Sequence, residues 1–384
     1  MNLRILLPLI LLLSCTSPEK KNQNSSELDN LESGIDSLFN SKIDKNGAGA
    51  ALLVSYNGEK LIGKGFGLRD IEKGLPVTPN TNMRMGSVSK QFTVLALLSL
   101  IDKGIISLTD SVFNIYPFET FKRVKIEQLI NHTSGIADAE AAFFTEWDQT
   151  KIAENKNLVD WYSQNPEPYF EPGVKWQYNN GAYELLASIV ERIGEVEFAA
   201  FVKQNILEKV DMQNSNFFNL AKPMEIKERA YCYQRDSLEN WQRVDGHFLN
   251  GLLGAGGLYT SVNDFFKYDQ ALRNKSLLSE DLHQLIFKPS SMPFPQDGDA
   301  FKYNAEFPFV GNDDQYYAMG WFVSGQTAFH SGSWFGTRTF VIYELDRPLT
   351  IAIFLNSDAS SIRKELIDKT YQLVDNYLQT IANK

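Results

Sequence analysis

The sequence predicts an α+β protein of mixed helix and strand. Its expected core is an antiparallel sheet made from both ends of the chain and flanked by N- and C-terminal helices. A mostly helical subdomain is inserted at roughly residues 105–255. Three observations predict this. Amphipathic helical stripes stand near both ends, β-rich runs lie just inside them, and helical periodicity dominates the long middle. With 384 residues and 43% hydrophobic content, the chain has ample material for a large core. Disorder and a small disulfide scaffold are both excluded, the latter by having only two cysteines. Lys and Arg total 37 against 47 Asp and Glu, a formal charge of −10, which argues against a nucleic-acid partner.

The chain opens with an export signal over residues 1–14. Arg4 supplies the positive start, and Ile5 to Leu13 form an apolar run broken only by Pro8. That run is far short of the roughly 20 residues needed to span a bilayer. Leu12-Leu13-Ser14-Cys15 resembles the lipobox of bacterial lipoproteins, which implies cleavage before Cys15, a lipid on its thiol and a membrane partner reached through that anchor. An ordinary signal peptide with an incidental Cys is the alternative. Residues 15–26, rich in Ser, Asn and Lys, read as a flexible tether, leaving 27–384 as the folded domain. Cys232, the remaining thiol, has no partner within the mature chain and reads as a buried structural residue.

Leu28, Leu31, Ile35, Leu38 and Phe39 form a helical stripe over Leu28–Ile43. Short β-rich runs from Gly49 to Asp70 surround Asn57-Gly58, a strong hairpin signal. Ser87 to Lys103 reads as a largely buried helix. Gly181–Ile193 and Phe198–Lys209 are the clearest helices of the middle. Strands are expected near Gly257–Tyr259, Tyr316–Ser324, Ala328–Phe329, Thr337–Tyr343 and Leu349–Leu355, before a closing amphipathic helix over Ser361–Ala382.

A Ser-x-x-Lys spacing places a hydroxyl and an amine one helical turn apart. It occurs at Ser17/Lys20, Ser87/Lys90 and Ser361/Lys364. Only Ser87 follows a strand-rich segment and Gly86 and opens a strongly apolar helix. There the helix N-terminus favours negative charge, and burial would lower the Lys90 pKa, making it a plausible base for Ser87. The same pair reads equally well as an N-cap and a lysine snorkelling outward. Tyr178-Asn179-Asn180 is the only Tyr-x-Asn: a phenol for proton transfer and an amide for substrate contact, or simply a loop tyrosine packing its ring. His330-Ser331-Gly332 is the only His-x-Gly. Gly332 would let a substrate backbone lie along the strand, and Ser333 follows with a second backbone N–H.

Taken together, Ser87-Val88-Ser89-Lys90, Tyr178-Asn179-Asn180 and His330-Ser331-Gly332 resemble the three active-site motifs of the serine β-lactamase and D-alanyl-D-alanine peptidase superfamily. Their order and wide spacing are most similar to the class C β-lactamase branch, with its peptidase and esterase relatives. Leu129-Ile130-Asn131-His132-Thr133-Ser134-Gly135-Ile136 and Gly254-Ala255-Gly256-Gly257-Leu258-Tyr259-Thr260 look like the same branch. The resemblance implies the β-lactamase/transpeptidase-like fold, with Ser87 as nucleophile, Lys90 as its base partner and Tyr178 as proton shuttle. It further implies Asn180 and His330 at the substrate, and an oxyanion hole from the amides of Ser87 and Ser333. It departs from class A in having no Ser-Asp-Asn and no Lys-Thr-Gly, and His330 replaces a permanent third-motif cation, which leans toward peptidase or esterase chemistry. The implied function is acyl-enzyme hydrolysis of an amide or ester in a small-molecule or peptide substrate of the cell envelope. A D-alanyl-D-alanine carboxypeptidase or a weak β-lactamase falls within this class. The alternative is a non-catalytic envelope binding protein on the same fold. No cofactor is required, and the scattered His132, His247, His283 and His330 show no metal-ligand spacing. His132 beside Ser134 suggests a triad, but the segment is one that the family uses for packing. The pocket walls are expected from the loops Ile136–Pro168 and Phe287–Gln315.

Overall fold

A computed structural model describes residues 18–295, 298, 304, 307–310 and 313–383. The segment expected as an export signal, Cys15 and part of the Phe287–Gln315 loop lie outside the described residues. The first helix, α1 (Pro18–Lys42), buries the expected stripe at Leu31, Ile35, Leu38 and Phe39. It starts ten residues before Leu28, so the segment expected as a tether is helical from Pro18 onward. Its Glu, Lys and Gln are good helix formers, and they extend a helix already nucleated by packing.

Strands β1 (Ala50–Tyr56) and β2 (Glu59–Phe66) pair across Asn57-Gly58, whose φ angles of 50° and 79° make the primed turn that such a sequence favours. The C-terminal half adds β3 (Gln315–Tyr317), β4 (Phe322–Ser324), β5 (Thr327–Trp334), β6 (Thr337–Glu344) and β7 (Leu349–Leu355). All pairings are antiparallel, in the order β3-β4-β5-β6-β7-β1-β2, so the two chain ends meet where β7 pairs with β1. The single strand expected over Tyr316–Ser324 is two, because the chain turns at Gly320 (φ 84°) and Ala318 N–H donates to the Trp321 carbonyl.

All seven residues of β7 are buried, which means both faces of the sheet are covered. The closing helix α5 (Ser360–Ala382) packs on α1 over one face. Helix α4 (Val262–Arg273) packs on β1 and β2, and α2 (Ser89–Asp102) packs among the helices of the middle. Between them in sequence, α3 (Asn180–Gly194) matches the expected Gly181–Ile193 helix and anchors the helical region. Helix α4 was not anticipated, although Ser261 caps it by accepting from Asp264 N–H at 3.1 Å. The helical middle also contains an unforeseen ribbon, Tyr233–Arg235 with Trp241–Arg243. Cys232 is free and buried, which pushes its thiol up to about 12. Among the described residues, no helix is long and apolar enough to cross a membrane.

One buried network ties α4 to the sheet. Asp269, fully buried, accepts from Ser55 Oγ of β1 at 2.7 Å, Thr350 Oγ1 of β7 at 2.6 Å and Arg273 Nε at 3.1 Å. Removing one partner of a buried pair leaves the other charge uncompensated. Asp269→Ala is therefore expected to lower unfolding free energy by about 3–5 kcal/mol, measured by urea denaturation, and Asp269→Asn, which keeps the shape but not the charge, should show most of the same loss.

Candidate active site

The turn before α2 carries Ser87. Gly86 has φ 52°, and a Cβ on it would lie 2.8 Å from Ser333 N, so this glycine permits both the turn and the close approach of β5. The other side of the turn is held by Met85 N–H donating to Leu258 O at 2.8 Å. From β6, the hydroxyls of Thr337 and Thr339 donate to the carbonyls of Arg84 and Met85 at 3.1 and 2.8 Å. Strand β4 pairs with β5 only as far as Phe329, so the β5 edge from His330 to Trp334 has no strand partner. The Met85–Ser87 turn packs against the face of β5 beside that edge, and a Cβ at Gly332 would meet the Met85 carbonyl at 2.1 Å.

Lys90 lies in the first turn of α2 and is fully buried. Its ammonium reaches Ser87 Oγ at 3.2 Å, Asn180 Oδ1 at 2.7 Å and Ala255 O at 3.1 Å, and it lies 4.8 Å over the Tyr178 ring. Burial pulls its pKa down to about 8, with Glu140, Glu184 and Asp138 opposing the fall. The Tyr178 phenol shares a hydrogen bond with Ser87, and its pKa is raised by burial and by nearby acids. Ser87, Lys90, Tyr178 and Asn180 thus converge, although about 90 residues separate the two pairs. Asn180 begins α3, where Asn179 caps the helix by accepting from Ala182 N–H at 2.8 Å.

Two expectations change. His330 is 1% exposed; its Nδ1 lies 2.7 Å from Ser331 O and its Nε2 is 2.9 Å from Tyr317 Oη. The carbonyl requires a proton on Nδ1, leaving Nε2 to accept from the tyrosine. Both nitrogens are occupied, and burial beside Lys90 drops the pKa to about 3. His330 therefore sits behind the cleft as a neutral group and presents no free nitrogen to a substrate. His132 does not pair with Ser134. Its Nδ1 accepts from Asn179 N–H at 3.1 Å, and its ring lies 4.3 Å from that of Tyr178. It positions the Tyr178–Asn180 segment.

A small cleft opens over Ser87, with Asn180 and Ser333 in its walls. Glu140 and Glu184 also line it, and motif reading found neither. Glu184 was findable: it lies four residues after Asn180, on the same face of α3, amid buried Ala182, Tyr183, Leu185 and Leu186. Glu140 comes from the Ile136–Pro168 wall, whose placement depends on tertiary packing.

Comparison with known proteins shows the family. The profile of the Beta-lactamase family matches residues 35–373. The chain belongs to the Beta-lactamase family. As a member it is a serine hydrolase related to β-lactamases, with the mixed α/β fold of its relatives. It is 28% identical over 347 residues to penicillin-binding protein 4* of Bacillus subtilis (strain 168), covering 87% of this chain and 74% of that protein. It is 26% identical over 264 residues to teichoic acid D-alanine hydrolase of Staphylococcus aureus, covering 68% of this chain and 61% of that one. The structure of the octameric penicillin-binding protein homologue from Pyrococcus abyssi superposes with a TM-score of 0.74 at 23% identity, covering 91% of this chain and 77% of the other.

In this Beta-lactamase family member the approach of β5 to Ser87 requires bare backbone. Gly332→Ala would meet Met85 O and Thr339 Oγ1, both at 2.1 Å. Overpacking of this kind costs about 1–3 kcal/mol. The expected result is that loss in urea denaturation, with β5 displaced from the Ser87 turn in a crystal structure of the variant.

Proposed function

We propose that the protein hydrolyses an ester or amide through an acyl-enzyme on Ser87. The observation that carries this reading is the buried Lys90 ammonium 3.2 Å from Ser87 Oγ, with a pKa lowered to about 8. A lysine of that kind is partly neutral near physiological pH and can accept the serine proton.

Ser87 Oγ attacks the substrate carbonyl carbon while its proton passes to Lys90, with Tyr178 beside both. The oxyanion would rest on the Ser87 and Ser333 amides, each donor contributing about 3 kcal/mol at such a site. Collapse breaks the bond to the alcohol or amine, which leaves with a proton returned through Tyr178. Water then repeats the sequence in reverse roles and frees the acid and Ser87. Asn180, bonded to Lys90 and standing in the cleft wall, holds the base in place and faces the acyl group.

The neutral His330 supplies no cation at the third motif, which disfavours substrates gripped by a carboxylate, including β-lactams. Ester and amide substrates of the cell envelope fit better, and the relatives named for penicillin binding and for teichoic acid D-alanine hydrolysis support that setting. Cys15 would carry the lipid that tethers the mature domain, residues 27–384, to a membrane.

Ser87→Ala is expected to remain folded and to lose turnover of p-nitrophenyl acetate by several orders of magnitude. Activity equal to the parent would remove Ser87 from the mechanism. The pH dependence has a definite sign. Lys90 must be neutral to accept a proton, and with a pKa of about 8 roughly a tenth is neutral at pH 7. The kcat/KM should climb about tenfold per unit below pH 8 and level off above it. A profile already flat from pH 6 to 9 would contradict the role given to Lys90.

A further inference from the structure

The proposed mechanism leaves two buried acids in the cleft without a task. Glu140 is 7% exposed and Glu184 is 1% exposed. Glu140 Oε1 accepts from Asn180 Nδ2 at 2.8 Å, and Asn180 Oδ1 in turn accepts from Lys90. Glu140 is therefore only two hydrogen bonds from the amine that touches Ser87, and Glu184 is one further. They also contact each other, which two carboxyl groups can do favourably only across a proton. Burial raises both pKa values, Glu184 well above the carboxylate range, so the pair shares a proton and holds a single negative charge.

Among the described residues, that charge has no dedicated partner. Lys90 is the cation that both acids feel, but its three N–H groups are spent on Ser87, Asn180 and Ala255. Arg84 also lines the cleft, with its guanidinium over the Tyr259 and Trp334 rings at 5.9 and 5.6 Å. Glu184 Oε2 receives no donor among the described residues. Structural duty does not account for the pair. Glu140 alone holds the Asn180 amide, while Asp138 takes the N–H groups of Asn180 and Gly181 at 3.1 and 3.0 Å. Burying a second acid beside the first is costly unless something binds there.

We propose that Glu140 and Glu184 bind a primary ammonium group in the acyl half of the substrate, so that the enzyme takes aminoacyl esters or amides with an unblocked amine. The inference rests on the acyl-enzyme reading, because that reading defines which half of the substrate faces Asn180. An α-amine lies one carbon from the carbonyl that Ser87 attacks, and the acids stand in the same cleft as Ser87. Leu249, Leu252 and Trp334 complete the wall with apolar surface suited to a small side chain.

The test separates binding from turnover. Ser87→Ala protein is titrated calorimetrically with D- and L-alaninamide and with their N-acetyl counterparts. An unblocked amide of at least one hand should bind tenfold or more tightly than its acetylated form, about 1.4 kcal/mol. Glu140→Gln with Glu184→Gln removes the charge while keeping shape, and should abolish that preference. Glu184→Gln alone leaves one carboxylate on Glu140 and should retain most of it, which also controls for damage to the fold. Equal binding of free and acetylated amides, no binding of either in the millimolar range, or a preference surviving the double substitution overturns the proposal. Failure of the hydrolase reading shows elsewhere, as p-nitrophenyl acetate turnover unchanged by Ser87→Ala, so the two outcomes are distinguishable.

Discussion

A lysine ammonium with no exposed surface is the constraint on which the rest of this structure depends. Removing a charge from water costs several kcal/mol unless its donors are satisfied. Lys90 meets that demand with three acceptors from distant parts of the chain: Ser87 one turn earlier, Asn180 at the start of α3 and Ala255 in the loop before a short strand. Further clasps secure the same loop to α2. Thr93 Oγ1 donates to Gly254 O at 2.8 Å, and Ser89 Oγ accepts from Leu258 N–H at 3.2 Å. The turn before α2, the start of α3 and the Ala255 loop are thus docked around one amine, and the docking brings Ser87, Tyr178 and Asn180 together.

The same burial sets the sign of every neighbouring titration. In a site with little water, desolvation opposes whichever form is charged. His330 and His132 are both driven neutral; His330 then bonds through both ring nitrogens, and His132 accepts from Asn179 N–H through Nδ1. The Tyr178 phenol is held protonated until it meets a base. The two acids rise together because burial penalises both carboxylates, with Asp138 close to each and Glu140 adding to the rise of Glu184. Lys90 is the exception that matters: three acidic neighbours oppose its desolvation, so it falls only to about 8 and stays within reach of both protonation states.

Much of this was legible in the sequence, and the reason is periodicity. The terminal helices, the Asn57-Gly58 hairpin and strands β6 and β7 repeat one residue pattern along one element. Ser87 with Lys90, and Tyr178 with Asn180, are pairs whose spacing carries their geometry. What stayed hidden depends on contacts between segments. Glu140 reaches the cleft only because Ile136–Pro168 folds over α3, where Asp138 caps the helix Ala139–Glu146 and also grips the Asn180 backbone. The work of His132 lies with Asn179, 47 residues away, and depends on a φ of 61° that no motif announces. The closing of β4 into a hairpin turned on one glycine, Gly320, inside an otherwise strand-like run.

Strand β5 shows how the fold turns a weakness into a site. A sheet edge with unpaired backbone ordinarily invites another strand. Here β4 stops pairing at Phe329, which leaves the edge from His330 to Trp334 open among the described residues, while the Met85–Ser87 turn packs against the face of the same strand. The turn cannot drift, because threonine hydroxyls from β6 hold the carbonyls of Arg84 and Met85. It can approach closely only because Gly86 and Gly332 lack side chains on the facing surfaces. The Ser87 and Ser333 amides are consequently placed by rigid backbone on two sides, the arrangement that resists reorganisation when charge develops between them. Whatever acyl group the cleft accepts, its carbonyl would meet a frame already set by the packing of strand against turn.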